Sequence, residues 1–311
     1  MQSKKLLKAG IRYIMDSDYR FLNNAGMGLH RNMPDQLYLQ RMYRACLGKE
    51  LNLENPKMLN EKLQWIKLYD RKPAYTMMAD KYAVRAYIAE KLGEEYLIPL
   101  LGVWDDPEEI DFNTLPDQFV LKCNHNSSKG MCICKDKSKL DVKRVKKELK
   151  KGLQQDYYLT GREWPYKDIK RRIVAEQYMQ CDTEDLPDYK IHCFNGKPKL
   201  VLVCRDRFKA TGLTEDFYTE NWEHLPIKRP NVANALEQIP KPEQLEQMLR
   251  MAKILANNIP FVRVDFYEIS GKIYFGEITF FPASGLVSFE PEEWDETFGS
   301  WLKLPKKRSN L

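Results

Sequence analysis

Two β-rich runs flank a Ser-Gly turn in the segment Pro260-Phe-Val-Arg-Val-Asp-Phe-Tyr-Glu-Ile-Ser-Gly-Lys-Ile-Tyr-Phe-Gly-Glu-Ile-Thr-Phe280. Valine, isoleucine, phenylalanine and tyrosine at this density predict two strands joined by a turn. Each run carries a carboxylate among apolar neighbours, Asp265 in the first and Glu277 in the second. Two carboxylates that face each other in a half-buried sheet repel unless a cation lies between them. Because Mg²⁺ takes oxygen ligands and often shares them with substrate phosphates, the hairpin is a candidate magnesium–nucleotide site.

The length of the turn decides whether the two carboxylates share a face, because a one-residue slip sends a side chain to the opposite face. A two-residue loop, Ser270-Gly271, would pair Asp265 with Gly276 and leave Glu277 on the other face. A three-residue loop that includes Lys272 would pair Asp265 with Glu277. The magnesium hypothesis therefore predicts the three-residue loop. The alternative is that one carboxylate simply faces solvent.

The composition is that of a globular protein with a sizeable core. The chain has 311 residues, 43% of them hydrophobic and 30% charged, which excludes a disordered chain and predicts two or three structural units. The net charge of +6 suits anionic substrates such as nucleotides or acidic sugars. It lacks the concentrated basic character of a nucleic-acid-binding protein. We therefore expect a small anionic ligand and no nucleic acid.

Several features predict a cytoplasmic protein. We find no apolar run of the length that a membrane span needs, and the N-terminal segment is a poor signal peptide. The seven cysteines, an odd number, indicate reduced thiols. Both ends are basic, which permits weak contact with an anionic membrane surface, although solvated tails are the simpler interpretation.

Helices and short strands alternate along the chain, without an internal repeat. We expect residues 1–70 to be mainly helical, including an amphipathic segment from Leu59 to Tyr69. A single helix is predicted from Thr76 to Leu92. The pair Asn195-Gly196 separates two β-rich runs and predicts a tight hairpin. A helix from about Glu243 to Asn257 leads into the Pro260 to Phe280 hairpin.

A lysine within an apolar strand indicates an anion site in the middle of the chain. Lys122 lies in the strand predicted for Phe119-Val-Leu-Lys-Cys123, and the polar loop Asn124-His-Asn-Ser-Ser-Lys-Gly130 follows it. Backbone N–H groups and a lysine together can neutralise phosphates. The loop has one glycine, so an ordinary hairpin turn is an equally good interpretation. The phosphate hypothesis is stronger if Lys81 and Lys190 converge on the same place.

Two other polar patterns have simpler explanations than a metal. The closely spaced thiols and imidazole are Cys123, His125, Cys132 and Cys134. Their spacing is tighter than that of structural zinc ligands, and thiols that pack along strands explain them better. Asp16 and Asp18 resemble the Asp-x-Asp motif of nucleotide-sugar glycosyltransferases, but only fifteen residues precede them. We expect a helix cap or a turn at this position.

Several motifs together carry a family resemblance. They are Asn55-Pro-Lys-Met-Leu-Asn-Glu-Lys62, Asp80-Lys-Tyr-Ala-Val-Arg85, Leu97-Ile-Pro-Leu-Leu-Gly-Val-Trp104, Phe119-Val-Leu-Lys-Cys-Asn-His125, Gly161-Arg-Glu-Trp-Pro-Tyr166, Asp188-Tyr-Lys190 and the hairpin from Arg263 to Phe280. The chain resembles the ATP-grasp superfamily, and most closely its TupA-like branch, which is often found with capsule, teichuronopeptide or other surface-polysaccharide genes. The resemblance covers most of the chain.

The resemblance implies an α+β fold in which two α+β subdomains clamp ATP. Residues 1–73 would form a helical N-terminal region, and 74–118 the first part of the ATP-grasp core. Residues 119–180 would form a lid subdomain. Residues 181–311 would form the C-terminal subdomain with the metal site.

The resemblance also implies the nucleotide-binding residues. Lys81, Lys122 and Lys190 would belong to the phosphate site, and the polar loop would close over it. The implied ATP-binding residues of that loop are Ser127, Ser128, Lys129 and Gly130. The segment from Glu176 to Met179, with Gln177, would form the hinge on the adenine side, and Glu184 would reach the ribose.

Catalysis and metal binding would centre on the hairpin. By resemblance, Asp265, Glu277 and Thr279 would hold Mg²⁺, and Arg263 and Lys122 would be the catalytic residues that stabilise developing negative charge. Many ATP-grasp enzymes have Glu-x-Asn where this chain has Glu277-Ile-Thr279. A hydroxyl is a poorer ligand than an amide oxygen, so the resemblance supports one Mg²⁺ better than two.

The implied activity is that of an ATP- and Mg-dependent carboxylate–amine ligase that forms an acyl phosphate. The implied substrates are a carboxylate acceptor such as a uronic-acid sugar and an amine donor such as an amino acid. Gly161–Tyr166, Arg205 and Arg207 are candidate acceptor residues, because arginine pairs with carboxylates. The alternatives are a glycosyltransferase of the same polysaccharide pathway, an ATP-grasp kinase and a non-catalytic nucleotide-binding protein.

Overall fold

The computed structural model describes residues 2–127, 129–180, 186–206 and 212–307. Helices and antiparallel strands alternate in it, which confirms the α+β class. The helices of the described chain are α1 (Gln2–Met15), α2 (Ser17–Gly26), α3 (Asp35–Leu47), α4 (Leu59–Tyr69), α5 (Pro73–Ala79), α6 (Val84–Lys91), α7 (Val142–Leu153), α8 (Tyr157–Gly161), α9 (Leu245–Leu255) and α10 (Glu293–Trp301).

The strands form two antiparallel sheets. They are β1 (Leu100–Trp104), β2 (Phe119–Cys123), β3 (Met131–Cys134), β4 (Ile173–Gln177), β5 (Asp188–Phe194), β6 (Lys197–Arg205), β7 (Thr214–Thr219), β8 (His224–Leu225), β9 (Phe261–Ile269) and β10 (Lys272–Thr279). Four strands pair in the order β1-β4-β2-β3, and six pair in the order β10-β9-β5-β6-β7-β8. Of the predicted turns, Asn195-Gly196 is confirmed as the tight turn between β5 and β6, with both residues at positive φ.

The N-terminal region is helical, as predicted, and has a small core of its own. Phe21, Tyr38, Leu39 and Tyr43 are buried there between α2 and α3. Helix α4 has the bounds expected from its amphipathic pattern. Within the described residues, no helix combines the length and the apolar character that crossing a bilayer requires.

Each sheet packs against its own helix. Helix α9 packs against β5, β6 and β9 of the six-stranded sheet, and α7 packs against β2 and β3 of the four-stranded sheet. Because β1 pairs with β4, residues 100–104 belong to the same sheet as the predicted lid, 119–180. The division of the chain into domains stays a prediction.

The single helix predicted from Thr76 to Leu92 is wrong, because α5 ends at Ala79 and α6 begins at Val84. Asp80 leaves the helical conformation, and its Oδ1 accepts a hydrogen bond from the backbone N–H of Tyr82 at 2.8 Å. The backbone N–H of Lys81 donates instead to the carbonyl of Asn124, at 3.2 Å. A tertiary hydrogen bond thus replaces a helical one and brings Lys81 to the polar loop.

The predicted pairing of Asp265 with Glu277 is confirmed, but the predicted three-residue loop is wrong. Lys272 pairs with Ile269, so the loop has two residues, Ser270 and Gly271, both at positive φ as in a type I′ turn. The register then shifts between Phe275 and Glu277, which is a β-bulge at Gly276. The extra residue of the bulge, rather than of the loop, puts both carboxylates on one face.

Candidate active site

One face of the β9–β10 hairpin brings two carboxylates, a hydroxyl and a guanidinium together. Arg263 donates from Nε to Asp265 Oδ1 at 2.6 Å and from Nη2 to Asp265 Oδ2 at 2.7 Å. Its Nη2 also lies 3.0 Å from Glu277 Oε1 and 3.0 Å from Thr279 Oγ1. Oxygens of all three predicted metal-binding residues therefore converge on one cationic group.

The chemistry of these donors fits Mg²⁺ that is held partly by a substrate. All three side chains offer oxygen, which is the ligand atom that Mg²⁺ prefers. Across the described parts of the chain, no three His, Cys, Asp or Glu side chains cluster closely enough to hold a metal ion by themselves. One or two carboxylates are what Mg²⁺ usually takes from a protein when phosphates complete its coordination.

The charges around Glu277 keep it ionised. Burial alone would raise the pKa of Glu277, but the positive charges of Lys81, Arg263 and Lys190, and a hydrogen bond from Thr279, lower the pKa to about 2. The side chain of Glu277 remains 38% exposed. This carboxylate is therefore both charged and accessible from the space in front of the hairpin.

Lys190 lies on β5, directly opposite Asp265. Its Nζ is 2.5 Å from Oδ2 of Asp188 and 2.5 Å from Oδ2 of Asp265. Burial would lower the pKa of this ammonium group, but Asp265 and Asp188 outweigh burial and raise the pKa. The structure thus places Lys190 beside the predicted metal ligand, where it compensates the charge of two buried carboxylates.

Lys81 joins the hairpin to the polar loop of the other sheet. Its Nζ donates to the carbonyl of Asn126 at 2.7 Å and lies 3.9 Å from Glu277 Oε2. Burial lowers the pKa of Lys81, Glu277 opposes this shift, and Lys122 adds to it. Lys81 therefore reaches the polar loop, as the phosphate hypothesis expects, whereas Lys190 contacts Asp188 and Asp265 of the other sheet.

Lys122 and Glu176 face each other on the adjacent strands β2 and β4. Lys122 Nζ lies 2.5 Å from Glu176 Oε2, and Arg85 Nη1 lies 3.4 Å from Glu176 Oε1. The side chain of Glu176 is 8% exposed, whereas that of Lys122 is 20% exposed. Of the predicted hinge residues that follow, Gln177 is exposed and Met179 is half-buried.

The polar loop after β2 is fixed at both ends. Asn124 Nδ2 donates to Asp80 Oδ1 at 2.8 Å. Gly130 has a φ of +67°, and a Cβ there would lie 2.6 Å from the sulfur of Cys123, so this position requires glycine. Ser127 and Lys129, between these anchors, are exposed. The loop is thus anchored at both ends, contacts Lys81 through the carbonyl of Asn126 and exposes Ser127 and Lys129 to solvent.

The remaining predicted positions divide into two groups. Ser128, Glu184 and Arg207 lie outside the described residues. Asp16 accepts hydrogen bonds from the backbone N–H groups of Asp18 and Tyr19, at 3.0 and 2.8 Å, which confirms the predicted helix cap at the start of α2. An aspartate occupied in this way gives no support to the glycosyltransferase alternative.

The sequence did not single out a buried polar cluster where α4 meets the segment after β10. Lys67 and Gln64 of α4 are fully buried and donate to backbone carbonyls of Ser284 and Gly285. Lysine on an amphipathic helix is ordinarily solvated, so nothing local marks Lys67 as a buried residue. The predicted acceptor motif Gly161–Tyr166 joins the same cluster, since Gly161 O accepts from Lys67 Nζ at 2.7 Å.

Comparison with known proteins gives one family and a set of similar structures. A family model described as TupA-like ATPgrasp matches residues 61–303, which is most of the chain. D-alanine–D-alanine ligase from Bacillus anthracis complexed with ATP is 18% identical, with 65% of this chain and 55% of that chain covered and a TM-score of 0.39. D-alanine–D-alanine ligase from Helicobacter pylori is 15% identical, with 79% and 69% covered and a TM-score of 0.44.

A third similar structure is that of the D-cycloserine synthetase DcsG. It is 12% identical, with 67% of this chain and 64% of that chain covered and a TM-score of 0.41. The chain spans 55% of the length of the first of these three proteins and 69% of the second. No curated protein matches the sequence.

Proposed function

The chain belongs to the TupA-like ATP-grasp family, as its motifs predicted, and from this membership we propose that it is an ATP- and Mg-dependent carboxylate–amine ligase. The observation that carries the proposal is the position of Lys81, which contacts the polar loop of one sheet and approaches Glu277 of the other. Such an arrangement suits a nucleotide whose phosphates lie between the two sheets.

In this proposal the four-stranded sheet binds the nucleotide. When ATP binds, the ammonium group of Lys122 would leave Glu176 and pair with a phosphate, because Lys122 is the more exposed side chain of that ion pair. Lys81 and the loop residues Ser127 and Lys129 would contact the remaining phosphate oxygens. Glu176 and the hinge that follows it would then be free to contact the base.

The six-stranded sheet would hold the metal and the reacting centre. Asp265 and Glu277 would hold Mg²⁺, with Thr279 as the weaker third oxygen, and the ion would neutralise phosphate charge when bound. Lys190 keeps Asp265 in place through its 2.5 Å contact. Arg263 lies on the same face and would stabilise the charge that develops on the transferred phosphoryl group.

Two steps complete the proposed reaction. The acceptor carboxylate attacks the γ-phosphorus of ATP, the bond to ADP breaks, and an acyl phosphate forms. The amine nitrogen then attacks the acyl carbon, and the carbon–oxygen bond to phosphate breaks with its electron pair leaving on phosphate. The products are an amide, ADP and phosphate.

We further propose that the acceptor is a surface-polysaccharide precursor with a uronic acid, and that the donor is an amino acid. The net charge of +6 supports an acidic acceptor. The proposed place of reaction is the cytoplasm, where ATP is available, with weak contact of the basic ends with a membrane surface. Arg205, at the end of β6, is a candidate for contact with the acceptor.

An ADP-release screen with Mg-ATP, uronic-acid sugars and amino acids tests the proposed function. We expect ADP release that requires both an acid and an amine, and mass spectrometry should detect a product equal to their sum less one water. A phosphorylated acceptor that does not react with amines would instead identify a kinase. Thermal stabilisation by UDP- or GDP-sugars but not by Mg-ATP would contradict ATP-grasp chemistry.

A further inference from the structure

A buried polar cluster joins three distant parts of the chain near the β9–β10 hairpin. Lys67 of α4 donates from Nζ to the carbonyls of Gly161 and Ser284, at 2.7 and 2.8 Å. The hydroxyl of Ser284 donates to Glu163 Oε1 at 2.5 Å. Lys67 is 0% exposed and Glu163 is 4% exposed, so neither is an ordinary solvated charge. The proposed binding of ATP and metal uses none of these groups.

The backbone that carries Ser284 is strained. Ala283, Ser284 and Gly285 have positive φ angles of 47°, 58° and 59°. This conformation is unfavourable for residues with a Cβ and persists where the surroundings enforce it, often at functional sites. Gln64 Nε2 enforces it here by donating to the carbonyls of Ser284 and Gly285, at 3.0 and 2.7 Å. The outcome is a hydroxyl held against the carboxylate of Glu163.

Glu163 is electrostatically connected to the reacting centre. The positive charges of Lys67 and Arg263 favour its ionised form, and Glu277 opposes it. Arg263 and Glu277 are the residues that we place at the transferred phosphoryl group and at the metal. Geometry links the same places, because Ser284, the hydrogen-bond partner of Glu163, lies on the turn Pro282–Gly285 that follows β10 and its metal-binding residues.

Two tyrosines connect Glu163 with the polar loop, and the backbone N–H of Tyr166 donates to the carbonyl of Glu163 at 3.1 Å. The rings of Tyr157 and Tyr166 pack edge to face, with centroids 4.9 Å apart. Burial raises the pKa of both phenols, and the charges of Glu163 and Glu277 act in the same direction. The hydroxyl of Tyr157 also forms a hydrogen bond with Ser127. Aromatic faces beside a carboxylate suit a ligand with a positively charged nitrogen.

The environment of Glu163 favours proton uptake. Burial raises the pKa of Glu163 above its usual value, and Lys67, Ser284 and Arg263 offset only part of that rise. Burial lowers the pKa of Lys67 to about 8, although the negative charge of Glu163 acts to raise it. A carboxylate whose pKa is raised towards neutrality is a more effective general base than an ordinary surface carboxylate.

We propose that Glu163 is the catalytic base of the second half-reaction, where it takes one proton from the ammonium group of the donor and so frees the nitrogen electron pair that attacks the acyl phosphate. This inference rests on the proposed ligase function. After this first proton has moved to Glu163, the nitrogen–carbon bond forms, the carbon–oxygen bond to phosphate breaks with its electron pair leaving on phosphate, and a second proton passes from nitrogen to the departing phosphate. Glu163 releases its proton to solvent before the next turnover.

Ser284 and Lys67 are positioning residues in this proposal. Ser284 orients the Glu163 carboxylate through its hydroxyl, and Lys67 fixes Ser284 through its backbone carbonyl. The donor substrate is a primary amine that enters as an ammonium ion, attracted by Glu163 and by the rings of Tyr157 and Tyr166. A second carboxylic acid or a hydroxyl nucleophile would gain nothing from this arrangement.

The test compares two nucleophiles with Glu163→Gln. The probes are glucuronate and galacturonate as acids, glycine as the amine, and hydroxylamine as the second nucleophile, all with Mg-ATP. Hydroxylamine is weakly basic, so its nitrogen can attack without help from a strong base. An aliphatic amine is protonated near neutral pH and must lose a proton before it attacks. We expect amide formation to fall by about 10²- to 10⁴-fold, while hydroxamate formation changes only a few-fold. Raising the pH should restore amide formation in E163Q, because solvent then deprotonates glycine.

Two further variants provide controls. Ser284→Ala should lower amide formation less than E163Q and again spare hydroxamate, and it keeps the proposal falsifiable if E163Q does not fold. Asp295→Asn changes another buried carboxylate, bonded to Asn60 rather than to this cluster, and should affect both nucleophiles equally. Equal loss with both nucleophiles in folded E163Q, or unchanged amide formation, would overturn the inference. Absence of hydroxamate from the unmodified protein with either acid would contradict the proposed function itself.

Discussion

The two sheets hold their charges in different ways. In the six-stranded sheet, Asp265 is 1% exposed and receives hydrogen bonds from Arg263 and Lys190. In the four-stranded sheet, Lys122 forms an ion pair with Glu176, and its side chain is 20% exposed. Both sets of charges lie on paired strands, but the first set surrounds a buried carboxylate, whereas the second includes a partly exposed lysine side chain.

In the proposed function, this difference gives each sheet a different task. Charges that are fixed before the reaction can stabilise a transition state without reorganising, which is what phosphoryl transfer requires. The ion pair of Lys122 and Glu176 would instead keep both side chains compensated until a nucleotide separated them. We therefore expect changes in the six-stranded sheet to impair turnover and changes in the four-stranded sheet to impair ATP binding.

Asp265→Asn should have the largest effect, because it removes a charge from the fixed set. The amide cannot supply the negative charge that Mg²⁺, Lys190 and Arg263 share. We expect ADP release at saturating Mg-ATP to fall by about 10³-fold. Circular dichroism and thermal unfolding should show that the variant is folded. Normal ADP release from D265N would exclude Asp265 as a metal ligand.

Lys122→Met should have the next largest effect and a different kinetic signature. Loss of one phosphate contact is expected to lower kcat/KM for ATP by about 10²-fold, mostly through a higher KM. The same substitution at Lys150, which is exposed on α7, is the matched control and should leave ATP kinetics unchanged. An unchanged KM in K122M would contradict the proposed exchange of partners.

Two glycines of the same hairpin provide a smaller and more selective test. A Cβ at Gly276 would lie 3.1 Å from the carbonyl oxygen of Asp265, so Gly276→Ala should disturb the bulge and displace Glu277. We expect ADP release to fall about ten-fold, since misplacement of a catalytic group by a fraction of an ångström is costly.

Gly271→Ala is the paired control. Gly271 has a φ of +74°, and the nearest atom to an added Cβ would be Glu243 Oε2 at 3.9 Å, so alanine adds backbone strain in the turn but no clash. We expect a loss of about 1 kcal/mol in the free energy of unfolding with ADP release unchanged. Urea unfolding and the ADP assay measure the two quantities. Equal activity in both variants would show that the bulge does not position Glu277.

Thr279→Asn should have the smallest effect, and it should improve the use of Mg²⁺ instead of impairing it. An amide oxygen is a better ligand than a hydroxyl, so the Mg²⁺ concentration that gives half-maximal ADP release should decrease by about two- to five-fold. A magnesium titration of ADP release checks this. An unchanged titration curve would place Thr279 outside the metal shell, where its hydroxyl contacts Arg263 at 3.0 Å and Glu277 at 3.1 Å.

The hairpin shows how far local sequence could lead. Two β-rich runs, a Ser-Gly turn and two carboxylates were enough to predict a hairpin, and the magnesium hypothesis required Asp265 to pair with Glu277. The predicted cause of the pairing, a three-residue loop, was wrong. An extra residue in the loop and a bulge at Gly276 shift the register by the same amount, so the local sequence does not distinguish them. The packing of both faces of the strands decides between a bulge and a longer loop. That packing involves residues far from the hairpin.

The break after Ala79 is a second case. Local helix propensity favours continuation through Asp80, but the N–H of Lys81 bonds to the carbonyl of Asn124, in the polar loop after β2. Lys81 therefore reaches the polar loop through a contact between segments more than forty residues apart. No periodicity within the helix encodes it.

The sequence by itself determined the α+β class, the family, the main helices and strands, and the pair of carboxylates on one hairpin, because these depend on local pattern and on motifs. The tertiary structure alone decided the bulge, the helix break and the Lys67–Ser284–Glu163 cluster. Within that cluster, Ser284 and Glu163 are 121 residues apart in the sequence. Burial converts a lysine and a glutamate from solvated charges into a connected pair with shifted pKa values. Burial is a property of the packed molecule, so no local pattern could reveal it.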